Sequence, residues 1–79
     1  MEEIYQLNNI DLKGKEVEVL EVNLVKNNKL KLERIGMFPG TIVKILDDNL
    51  KNITIFKINN VKYAIRANDA KDIIVKKVN

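Results

Sequence analysis

The stretch "KLERIGMFPGTIVKIL", Lys31 to Leu46, holds the one proline of the chain and two of its three glycines. On its N-terminal side, Lys29 to Ile35 places Leu32 and Ile35 three apart on one helical face. Asn27-Asn28 precede it as N-cap candidates, and Gly36 stands where a left-handed, helix-ending residue belongs. A helix of about two turns is marginal by itself in water, so this one must dock on something. Phe38-Pro39-Gly40-Thr41 then puts proline second and glycine third in a four-residue turn. That is the type II arrangement, because its third residue needs positive φ. Thr41 to Leu46 reads as a strand. The corner therefore turns a helix into a strand within four residues, and Gly36, Pro39 and Gly40 are its structural turn residues.

Working outward, apolar and charged residues alternate from Glu16, with Val17 and Val19 on one face. The alternation then slips by one to Leu20, Val22 and Leu24, which predicts a β-bulge or a change of face. Asp47 to Asn52 is a polar loop, and Ile53 to Ile58 a strand. Asn59-Asn60 fits a two-residue hairpin turn, since asparagine tolerates positive φ. Val61, Tyr63 and Ile65 alternate as the next strand, Asn68 caps a single helical turn, and Ile73 to Val78 closes the chain. The pattern predicts a mainly β fold, a small SH3-like β-barrel of about five strands with one short helix. A chain of 79 residues makes one domain, 1–79, within which residues 1–9 read as an N-terminal extension of uncertain structure.

The composition removes several chemistries. There is no cysteine and no histidine, so disulfides, thiolate sites and the usual ligands of zinc and iron are missing. No metal site and no cofactor are expected on this chain alone. No Gly-rich phosphate loop is present, the carboxylate pairs Glu2-Glu3 and Asp47-Asp48 sit in polar stretches, and Thr41 and Thr54 lack a visible base. Binding rather than catalysis is the expectation. "MEEIYQ" has neither the basic start nor the apolar core of a secretory signal, and no apolar run is long enough to span a bilayer. A soluble, cytoplasmic protein without membrane insertion follows. Charge is uneven: residues 1–25 carry six acidic and two basic residues, residues 26–79 five acidic and twelve basic. This favours an acidic partner surface, a phosphate backbone or anionic lipid headgroups, although a lysine-rich solvated surface, with eleven Asn and eleven Ile alongside, is also what A/T-rich codons give.

The corner segment "LKLERIGMFPGTIVKIL" resembles the hallmark of the ferrous iron transport protein A (FeoA) family, in which a short helix ending in an "(L/M)G" step leads to a "PGT" turn and a strand. The likeness continues through "INNVKYAIRANDAKDIIVKKV" and the opening "IDLKGKEVEVLEV", about Ile10 to Val78 altogether. The sequence "DDNLKN" stands where the family has an "APLGDP"-like loop, keeping Leu50 and a polar residue after it, and Asn60 replaces the hairpin glycine. The resemblance implies a small cytosolic SH3-like barrel accompanying a membrane ferrous iron transporter that has a GTPase domain. It also brings the family's association with transition metal ion binding.

From these readings the expected role is an accessory binding module that contacts the cytosolic domain of that transporter. The candidate partner-binding residues are Met37, Phe38 and Pro39, with Lys44 and Arg66 as polar contacts. Phe38 has a second placement, buried beneath the turn, and Arg66 a second use, pairing with a surface carboxylate. The runner-up is a basic β-barrel binding nucleic acid, for which few aromatics are available to stack on bases. A metal-regulated repressor's SH3-like module, needing a DNA-binding domain in trans, ranks last.

Overall fold

The computed structural model describes residues 3–46 and 52–78, so the loop residues Asp47 to Lys51, Leu50 among them, and Glu2 lie outside the described residues. Six strands form one antiparallel sheet: β1 (Ile4–Gln6), β2 (Glu16–Val22), β3 (Ile42–Ile45), β4 (Ile53–Ile58), β5 (Val61–Arg66) and β6 (Ile73–Lys77). Two short helices, α1 (Lys26–Arg34) and α2 (Ala67–Ala70), and a 3-10 turn at Ile10–Leu12 complete it. The hydrogen-bonded order is β1-β6-β2-β3-β4-β5. Among the described residues the ladder is open, with β1 and β5 at its two ends, and is not closed into the expected barrel. The sixth strand is β1. Its three residues carry no alternation of their own, but the edge of β6 supplies a partner, with Tyr5 opposite Val75.

The slip in the β2 pattern is a real bulge. Val19 lies opposite Val75 and Glu21 opposite Ile74, so Leu20 is the extra residue. Val17, Val19 and Val22 consequently all face the core, which a strict period of two would forbid. Asn59 and Asn60 both hold positive φ, 52° and 67°, as a type I′ hairpin turn requires. They join Ile58 to Val61 across β4 and β5.

Two boundaries differ from the sequence reading. The helix starts at Lys26, with Val25 as N-cap and no side-chain capping bond. Asn27 and Asn28 therefore lie inside the first turn, where extended Val25 already accepts the first helical hydrogen bond, from the Lys29 N–H at 2.9 Å. Similarly α2 begins at Ala67 with Arg66 before it, so Asn68 lies within the turn and does not cap it.

One face of the sheet forms the core. Phe56 is fully buried at its centre and stacks on half-buried Tyr63, with ring centroids 5.9 Å apart. Leu7 and Leu12, also fully buried, add volume from the segment before β2. Among the described residues no helix is long and apolar enough to cross a membrane.

Candidate functional site

The corner is held by three interlocking devices. The first ends α1. The Met37 N–H donates to the Leu32 carbonyl at 3.0 Å and the Gly36 N–H to the Glu33 carbonyl at 3.1 Å, while Gly36 takes φ +96°. This pair of bonds around a left-handed glycine is the Schellman arrangement, which brings the residue after the glycine against the last helical turn. Met37 and Leu32 accordingly both join the core cluster. The second device is the turn: the Thr41 N–H donates to the Phe38 carbonyl at 3.0 Å, and Gly40 also has φ +96°. Type II geometry is what the Pro-Gly pair predicts.

The third device is Thr41 itself. Its hydroxyl donates to the Gly36 carbonyl at 2.8 Å and accepts from the Phe38 N–H at 3.2 Å, so it ties the helix end to the turn. Further bonds weld the corner to β2 at its bulge, from the Gly40 N–H to the Val19 carbonyl at 2.7 Å and from the Val19 N–H to the Thr41 carbonyl at 2.9 Å.

The five residues expected to meet a partner are split among four places. Met37 is 1% exposed and lies in the core; as the residue following the Schellman glycine it is drawn inward, so it supports the corner and offers no surface. Phe38 is 48% exposed and stands with exposed Pro39 on the outside of the turn. Of its two placements, exposure is the one found, because the helix-ending step turns Met37 inward and leaves Phe38 outside. Lys44 is exposed on β3, opposite Glu16 of β2 on one side and Lys57 of β4 on the other. Lys57 in turn faces Lys62, so lysines stand side by side on three adjacent strands. Arg66 is elsewhere, at the end of β5, paired with Asp69 at 3.3 Å.

That end of β5 borders a cleft of about 280 Å³ whose other wall is Leu24 together with Asn28, Lys31 and Leu32 of α1. Sequence reasoning missed the cleft, since its walls come from segments more than thirty residues apart. The Arg66–Asp69 spacing of three was the one legible signal. Among the described residues, no three Asp, Glu, His or Cys side chains are grouped so as to hold a metal ion. Nothing there locates transition metal ion binding.

The profile of the FeoA domain matches residues 6–77. Among curated proteins the chain has no match. The fold is shared with a crystal structure of an iron uptake regulatory protein, FeoA, at a TM-score of 0.79 and 22% identity, over 96% of this chain and 99% of that one. A FeoA-like protein from Clostridium acetobutylicum has a TM-score of 0.79 at 20% identity, over 100% of this chain and 92% of that one. FeoA from Chlorobium tepidum has 0.72 at 22% identity, over 84% and 64%. At these identities the likeness is one of fold, and the profile match supplies the family.

Proposed function

Because the chain belongs to the FeoA domain family, we propose that it is a small cytoplasmic accessory protein of a ferrous iron uptake system, binding the cytosolic domain of a membrane iron transporter that carries a GTPase domain. In this reading residues 1–79 act as one domain, and within the N-terminal extension 1–9 it is β1 that covers the edge of β6. Iron is the cargo of the system and is not held by this chain.

The observation that carries the reading is Phe38. It is an aromatic side chain 48% exposed on a turn whose backbone is fixed by the Thr41 and Gly36 bonds. Interfaces concentrate their energy in such anchors, and an anchor held rigidly loses little entropy on docking. Pro39 extends the same surface. A partner broad enough to cover β3 and β5 also reaches Lys44 and Arg66.

The observation on the side of nucleic acid is the row Lys44, Lys57, Lys62. Against it, Phe56 is buried and Tyr63 stacks on it, and Tyr5 is half-buried with Lys77 5.0 Å above its ring. Phe38 alone is left as an exposed base-stacking surface among the described aromatics.

The deciding measurement titrates the wild type, Phe38→Ala and the double variant Lys44→Glu/Lys62→Glu against the transporter's cytosolic domain and against a single-stranded oligonucleotide, at two salt concentrations. The transporter reading expects Phe38→Ala to lose about 2 kcal/mol of affinity, typical of an interfacial anchor, and the lysine changes to act mainly on association rate. Wild-type protein that ignores the cytosolic domain and binds the oligonucleotide, with a steep loss on added salt, overturns it.

A further inference from the structure

We propose that the cleft between α1 and the outer edge of β5 takes an extended acidic peptide as an added strand. Arg66 is shared with the surface proposed for the transporter, but Phe38 and Pro39 do not line the cleft, and the inference does not depend on the transporter reading.

The two-residue hairpin sets the phase of the edge. Ile58 and Val61 flank the turn and exchange both of their hydrogen bonds, as do the alternate pairs Phe56 with Tyr63 and Thr54 with Ile65. The intervening residues of β5 therefore turn their backbone groups away from β4. Ala64 presents its N–H and C=O outward in this way, and Arg66 presents its N–H. No strand pairs with β5 on that side among the described residues. An edge with unsatisfied groups is a template for another strand.

What distinguishes this edge is the cleft beside it. Leu24, Leu32 and Ile65 give it an apolar floor, and α1 forms the facing wall. A groove between an edge strand and a helix is a recurring way to hold a peptide: main-chain bonds supply affinity, and pockets for alternate side chains supply selection. At about 280 Å³ the space falls just below the roughly 300–1,000 Å³ usual for small-molecule sites and suits the inward side chains of a strand.

Charge selects the occupant. Lys31 and Arg66 line the cleft, with Asp69 tied to Arg66, and Lys26, Lys29 and Arg34 against Glu33 make the rest of α1 basic. A strand with apolar residues facing the floor and acidic residues between them complements both features.

The test uses the full chain, labelled with nitrogen-15, and the blocked pentapeptide Asp-Val-Asp-Val-Asp followed by NMR. Saturable shifts centred on the Ala64 and Arg66 amides, with slowed hydrogen exchange there, are expected. A peptide N-methylated at alternate residues should lose this binding, and the Lys-Val-Lys-Val-Lys analogue should bind about tenfold or more weakly, because like charges are then juxtaposed. Lys31→Glu, an exposed change on α1, should weaken the acidic peptide and strengthen the basic one without altering the fold. Three outcomes overturn the proposal. They are no shifts at millimolar peptide, equal binding of the N-methylated peptide, and pairing of β5 with a second copy of the chain in the absence of peptide.

Discussion

The corner at residues 32–41 and the β4–β5 hairpin treat their backbone groups in opposite ways. At the corner, Gly36, Met37, Phe38, Gly40 and Thr41 each donate their N–H within the molecule, and the Thr41 hydroxyl serves both as donor and as acceptor. The hairpin has an equally regular turn, yet its second strand ends the sheet with Ala64 facing outward. The difference separates two kinds of recognition. A closed corner can offer only the side chains it displays, whereas an open edge offers the main chain itself.

Substitutions at three positions break or sharpen this contrast. Met37→Ala should have the largest effect, about 2–5 kcal/mol of stability by denaturant titration, as for other buried methionines truncated to alanine. Its loss should be one of stability, since the side chain is 1% exposed; a variant of unchanged midpoint would mean that the corner does not depend on the core beneath it. Gly40→Val comes next, at about 1–3 kcal/mol, the cost of holding a non-glycine residue in a sparsely populated region. A Cβ at Gly40 meets nothing within 4 Å, so this cost is purely one of backbone conformation, and Gly40→Asn should recover part of it. Equal stability of all three proteins would show that the turn does not need positive φ.

The smallest effect belongs to the hairpin side and has the opposite sign. Lys57 lies opposite Lys44 on one strand and Lys62 on the other, and directly opposed like charges are destabilising. Lys57→Glu should therefore stabilise by about 0.2–1 kcal/mol, with the gain shrinking as salt is added. A loss of stability would show that Lys57 has a favourable role that outweighs repulsion.

The sequence made the local chemistry legible where a residue type has one conformational use. The Pro39-Gly40 turn, the left-handed Gly36, the paired asparagines of the hairpin and the slip at Leu20 all fall in this class. Features set by distant partners were not legible. β1 has no pattern of its own and exists because β6 has a free edge. Whether the ladder closes depends on how far the curvature of all six strands carries β1 and β5 around, which no single stretch encodes. Within the candidate site, Met37 and Phe38 look alike in sequence, and the helix end decides that the first goes in and the second out. The inward contact that accompanies a Schellman motif contained that answer. The α1–β5 cleft, assembled from both halves of the chain, had no local signature beyond Arg66 and Asp69.

The pairing of Ile4 with Lys76 has a consequence for modularity. The first and last strands are antiparallel neighbours, so Ile4 and Lys76 lie only about 5 Å apart, the spacing of one strand pair. A domain with neighbouring ends can be spliced into a surface loop of a host protein without forcing that loop apart, and the same proximity suits it to circular permutation.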